Sequence, residues 1–133
     1  MEESEMYLLA LLKVSREDEA KLTLNEIQFI IFLLEKVLGV ELNLDFTPSI
    51  FGPYSLKLKE TLKRLVSQGT VEVIKSVSLS IFDIYVLRNN VEVEIEDNVM
   101  NFFRYWIRKD YYEIFKYLLV RYGSYFDTPA TRR

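Results

Sequence analysis

A chain of 133 residues, half of them hydrophobic, is one domain of ordinary size with enough apolar side chains to bury a core. It contains neither cysteine nor histidine, which excludes disulfides, thiolate nucleophiles, the usual hydrolytic triads and Cys/His zinc sites. A net charge of −3 argues against gripping a polyanion by bulk charge. The start, Met1-Glu2-Glu3-Ser4-Glu5, is acidic where a secretory leader needs a basic one. The longest apolar run, Ile27 to Leu34, contains Gln28 and is too short to span a bilayer. The expectation is a cytoplasmic protein that does not enter the membrane.

Residues 3–14 read as a first helix with Met6, Leu8, Leu9 and Leu12 on its apolar side, and the charged stretch 15–21 reads as a loop. Thr23-Leu24-Asn25-Glu26 is a capping box: the Thr23 hydroxyl can accept from the Glu26 amide while the Glu26 carboxylate reaches back to the Thr23 amide. The helix it opens runs to about Leu38, where Gly39 can supply a left-handed terminus. Only Asn25, Gln28, Glu35 and Lys36 make a polar stripe on it, so it is expected to be the central buried helix. Glu41 to Phe46 alternates polar and apolar residues, which predicts a short strand broken by Thr47-Pro48-Ser49.

The turn Phe51-Gly52-Pro53-Tyr54-Ser55 leads into a third helix over about 55–68, ended by Gly69. Gly52 permits backbone angles that other residues resist, Pro53 suits a helix start, and Ser55 can cap the helix. Phe51 and Tyr54 would anchor the turn, which serves either folding alone or a ligand site. The helix buries Leu58, Leu62, Leu65 and Val66 and shows Lys57, Glu60, Lys63 and Arg64. Residues 70–75 and 82–88 form a predicted hairpin with a polar tip over 76–80, and Val91 to Ile95 alternates as a third, edge strand. Asp97 is expected to cap a fourth helix to about Lys109, with Val99, Phe103, Trp106 and Ile107 inward. A second capping box, Asp110-Tyr111-Tyr112-Glu113, opens a fifth helix with Tyr111, Ile114, Phe115, Leu118, Leu119 and Tyr122 on one face, stopped by Gly123. Thr128 to Arg133 reads as a frayed tail.

This order, helix-helix-strand-helix-β-hairpin followed by two helices, predicts a winged-helix-like α+β fold: a single domain over 1–133, its core at about 3–95 and a C-terminal helical extension at about 97–126. The turn over 51–55 resembles the aromatic-Gly-Pro-Tyr-Ser turn of the uncharacterised YwgA-like proteins, and more distantly the Panacea-type antitoxin domain. Ile27-Gln28 and Phe32 before it, Leu58, Leu62, Leu65 and Gly69 after it, and Glu113 to Tyr117 with Tyr122 extend the likeness over 22–90, with an echo at 110–126. Two positions depart from the pattern: Phe29 stands for the lysine that usually follows the glutamine, and Gly123 for the closing proline. The resemblance implies a winged-helix-like fold and, through the antitoxin relatives, binding to a partner protein or to nucleic acid.

Enzyme chemistry finds no residues to carry it. The four glycines are isolated, with no phosphate-cradling loop, so no cofactor and no metal are expected. Glu92, Glu94 and Glu96 would share one strand face, either to hold a hard cation or, with better reason, as a solvated face that blocks edge pairing. The leading functional expectation is a DNA-binding, transcription-regulator-like module. Residues 55–75 carry five basic and two acidic side chains, and 97–133 carry seven and four. Helix three would read the groove of double-stranded DNA with Lys57, Lys63 and Arg64, Lys59 on its flank and Lys75 on the wing, supported by Arg104, Arg108 and the tail's Arg132 and Arg133. Glu60, in the middle of that face, opposes this. The alternative is an adaptor or antitoxin-like module that binds a protein and no nucleic acid. Eleven of the 19 aromatic residues lie in 102–126, mostly on inward faces. Tyr105, Tyr112 and Tyr117 fall off those faces and are candidate interface residues for a homodimer.

Overall fold

The computed structural model describes residues 2–127. Its elements are α1 (Glu3–Glu17), β1 (Leu22–Thr23), α2 (Leu24–Leu38), α3 (Leu56–Ser67), β2 (Val71–Ile74), β3 (Ile84–Leu87), α4 (Asp97–Ile107) and α5 (Tyr111–Tyr122), with 3-10 turns at Ser80–Phe82 and Gly123–Tyr125. The fold is α+β, with five helices and a three-stranded antiparallel sheet, in the order β1-β3-β2, among the described residues. No helix among the described residues is long and apolar enough to cross a membrane.

Two helices share the centre. In α2 the whole run Ile27 to Leu34 is buried, and in α1 so are Tyr7 to Leu12, Val14 and Ser15. A helix apolar on every side is buried on every side, and the uncharged run Tyr7-Leu8-Leu9-Ala10-Leu11-Leu12 gives α1 that character as clearly as α2. Against this pair pack the sheet, α3, α4 and α5.

Local signals set most helix ends. The Thr23 box closes in both directions, with Glu26 N donating to Thr23 Oγ1 at 3.2 Å and Thr23 N to Glu26 Oε1 at 3.1 Å. Gly39 takes φ +70° at the end of α2. After α3, Gly69 sits at φ +79°, with Gly69 N donating to Val66 O at 3.0 Å and Thr70 N to Leu65 O at 3.1 Å, a Schellman closure. Asp110 caps α5 from the Glu113 amide at 2.9 Å, but the Glu113 carboxylate pairs with Lys109 at 3.8 Å, so the second box forms by halves. Asp97 is not a cap; Glu96 holds that place without a side-chain bond, and Asp97 opens the helix, where its charge suits the positive end. α5 ends at Tyr122 with Gly123 as its C-cap, in the right-handed region, and the chain passes on into the 3-10 turn Gly123–Tyr125.

The strands differ more from expectation. The predicted hairpin pairs Val71 to Ile74 with Leu87 to Ile84, and the third strand of the sheet is Leu22–Thr23, paired with Tyr85 and Ile84. Neither alternating segment is a strand. Over 41–46, Leu42 and Leu44 are buried and Glu41, Asn43 and Asp45 exposed, as alternation requires. However, Asn43 and Asp45 both take φ +54°, the left-handed region that Asn and Asp tolerate best, so no ladder forms. Over 91–95 the apolar residues are half-buried and the acidic ones exposed, again without pairing.

Between α2 and α3, one side chain fixes the geometry. Gln28 is completely buried, its Oε1 accepting from Ser55 N at 2.9 Å and its Nε2 donating to Ser55 O at 3.1 Å. Ser55, also buried, donates its hydroxyl to Leu44 O and caps α3 by accepting from Leu58 N at 3.0 Å. Gly52, at φ +112°, lies where a Cβ would come within 2.8 Å of the Phe29 ring and 3.0 Å of Phe126, so a glycine is needed for both angle and space. Pro53 falls before the cap rather than in the first helical turn.

Gln28→Ala leaves the Ser55 amide and carbonyl buried without partners, and is expected to cost roughly 3 kcal/mol or more, read as a lowered urea midpoint. Glu35 provides a pH test. Burial first raises its carboxyl above the ordinary 4.5, against the smaller lowering effects of the Leu42 amide and Lys36. A group with a raised folded value contributes stability that is full below pH 4.5 and is lost as pH rises through the raised value. Glu35→Gln is therefore expected to gain on the wild type in melting temperature as pH rises from the acid side of that window to neutrality. A constant difference would show that Glu35 binds protons alike in the folded and unfolded chain, so that burial does not raise it.

Candidate interface of helix α3 and the hairpin

Helix α3 turns Leu58, Thr61, Leu62 and Leu65 inward and leaves Leu56, Lys57, Glu60, Lys63, Arg64 and Ser67 in solvent. Its cations, read together from the sequence, divide between two edges.

On one edge, Lys57 pairs with Asp45 at 2.5 Å and reaches Asn43 O at 3.4 Å. Arg64 bonds the first turn of α1 and the residue before it, with Nη2 2.8 Å from Glu5 Oε1 and 3.2 Å from Glu2 Oε2. Both pairs are surface contacts, held because α1 and the 41–46 segment flank α3. Three carboxylates therefore stand beside two of the three residues expected to read DNA.

On the other edge, Lys59 and Lys63, one turn apart, face the hairpin across a groove of about 450 Å³. Val73 and Tyr85, opposite each other in the β2–β3 ladder, line it together with Val66 and Lys75. Among the described residues neither Lys59 nor Lys63 is in an ion pair. Lys75 pairs at 3.4 Å with Asp83, a buried carboxylate that also accepts from Ser76 N at 2.7 Å and so closes the hairpin. Burial first, then the Asp83 charge, raises the Tyr85 hydroxyl above its ordinary 10.0, so it stays protonated and can donate. At Ser80 the groove meets a second one of about 330 Å³, apolar and lined by Leu24, Phe51, Tyr54, Leu79 and Ile81. Phe51 stands edge-on to Phe82 at 5.7 Å, so the 51–55 turn builds this half. At the hairpin tip, among three serines, Val77 is fully exposed and Leu79 52% exposed, and there is no basic side chain.

The other candidates lie elsewhere. Arg104 donates to Asn101 at 3.2 Å and Arg108 to Asp18 at 3.1 Å, away from α3; Arg132 and Arg133 lie outside the described residues. Tyr105 and Tyr112 are exposed, as an interface requires, but Tyr117 is half-buried, packed on Trp106 at 5.0 Å with Arg121 over its ring at 5.2 Å. Leu119, expected inward, is exposed. Glu96 accepts from Tyr7 at 3.2 Å, and among the described residues no three acidic side chains gather to hold a metal ion. The partners of Lys57 and Arg64 left no mark in the sequence, since Glu2 and Glu5 are about 60 positions from Arg64.

No known family model matches the chain, and neither a curated protein nor a solved structure matches it.

Arg64 lies in solvent while the Glu5 side chain is only 13% exposed, and a double-mutant cycle with Arg64→Ala and Glu5→Ala is expected to give a small coupling that falls further as salt rises. A larger value would make the pair a structural tie of α1 to α3.

Proposed function

We propose that this chain is a winged-helix-like docking module, without catalytic activity, that receives a partner protein on the face formed by α3 and the hairpin. The order helix, strand, helix, helix, hairpin, with the first strand laid against the hairpin, supports the winged-helix reading and makes α3 the counterpart of a recognition helix.

The observation that carries the choice of partner is the charge around α3. On and around α3 stand Lys57, Lys59, Lys63 and Arg64 together with Glu60, Asp45, Glu2 and Glu5, four cations and four carboxylates. Duplex DNA is held by neutralising several phosphates at once, and a face with no net charge offers little for that. The exposed Val77 and Leu79 of the hairpin tip and the apolar half-groove suit protein recognition, where buried apolar anchors supply most of the affinity. The competing reading, a transcription-regulator-like duplex binder, draws on Lys59, Lys63 and Lys75 alone.

Fluorescence anisotropy of random duplex DNA, at low and moderate salt, tests the choice. The expected result is no saturable, salt-sensitive binding at micromolar protein. Binding that Lys59→Ala/Lys63→Ala abolishes would overturn the docking reading in favour of the duplex.

A further inference from the structure

We propose that the two grooves meeting at Ser80 form one bipartite site for an extended segment of a partner protein, with an acidic block seated among Lys59, Lys63 and Lys75 and neighbouring apolar residues seated against Phe51, Leu79 and Ile81. The inference rests on the docking reading above and names the chemistry of the partner.

Charge complementarity argues for the acidic half. Lys57 and Arg64 already have carboxylates, whereas Lys59 and Lys63 extend over the groove with no ion pair among the described residues. Lys75 shares one oxygen of Asp83 across 3.4 Å and keeps its side chain largely exposed, with donors to spare. Beneath them the Tyr85 hydroxyl stays protonated, a further donor for a carboxylate. Val66 and Val73 make the walls too apolar for a wholly charged ligand.

Shape argues for a chain rather than a helix or duplex. Each half, about 450 Å³ and 330 Å³, has the size of a site for a few side chains, and the two adjoin at Ser80, which is in both linings. The first half is rimmed by lysines and the second is apolar, with half-exposed Leu79 in its lining. An extended segment with charged residues at one end and apolar ones at the other meets both conditions. A compact anion meets only the first.

The probe is a fluorescein-labelled dodecapeptide carrying a Glu/Asp block and a Leu/Phe block, made in both orders, beside a version with lysines replacing the acids. Anisotropy is read on the full chain at low and moderate salt, with unlabelled random duplex DNA as competitor. One order is expected to bind, more weakly as salt rises, and the lysine version not to bind. Lys59→Ala/Lys63→Ala should weaken it at least about tenfold, and Leu79→Ser several-fold, with circular dichroism and melting unchanged because Lys63 and Leu79 are exposed and Lys59, half-buried, is in no ion pair among the described residues. Amide resonances of Lys59, Lys63, Val73 and Tyr85 should shift. Failure of both orders to saturate at about millimolar concentration, or binding indifferent to the lysines, overturns the acidic-segment inference and leaves the docking reading standing. Displacement of the peptide by duplex DNA at the same residues overturns both.

Discussion

Gln28 sits in the middle of an apolar run with no contact with water, and its amide can satisfy itself only on the backbone of Ser55. Burying such a group unbonded would be costly, so the pairing fixes where the chain must pass after its 40–54 excursion. Ser55 then performs three tasks at once: it completes the Gln28 bonds, holds Leu44 through its hydroxyl, and caps α3. One residue further along α2, Phe29 meets the bare backbone of Gly52. The direction of α3, and with it the surface it shows, follows from these contacts between a buried glutamine and a five-residue turn.

The C-terminal aromatic residues close the other side of the same helix. Phe32 is ringed by Phe46, Tyr122 and Tyr125 at centroid distances of 4.7–5.3 Å, and Phe29 lies between Tyr111 and Phe126. Asn25, the other buried polar residue at the start of α2, donates to the Tyr111 hydroxyl at 2.7 Å. The first half of the polar stripe of α2 is thus no solvent face, since Asn25 binds α5 and Gln28 binds the start of α3, whereas Glu35 is half-buried and Lys36 exposed. The aromatic density of residues 102–126 is accounted for mainly inside the molecule, leaving Tyr105 and Tyr112 on the surface with Tyr111, expected inward, 37% exposed.

The electrostatics of α3 follow from its neighbours. Its basic side chains are those the sequence shows, but α1 brings Glu2 and Glu5 to one edge, and the left-handed residues at 43 and 45 bring Asp45. The hairpin offers the other edge Lys75 and an apolar floor. A helix with evenly distributed charge becomes a surface with a neutralised side and a cationic side, and only the second can attract an anionic partner.

The sequence by itself determined what depends on neighbours a few positions apart. The Thr23 box, the left-handed Gly39 and Gly69, the Ser55 cap, the hairpin and the inward faces of α3 and α4 are all set by hydrogen bonds within one turn or by periodic burial, and all stand in the structure. Alternation at 41–46 and 91–95 reported burial faithfully but not pairing, because a strand needs a partner and alternation shows only which side faces the core. Only the tertiary structure decided that Leu22–Thr23 completes the sheet, that Gln28 grips Ser55 across 27 positions, and that Lys57 and Arg64 are matched by carboxylates while Lys59 and Lys63 are not. Those outcomes depend on distances between segments remote in sequence, and a charge shows its effect only when its neighbours in space are known.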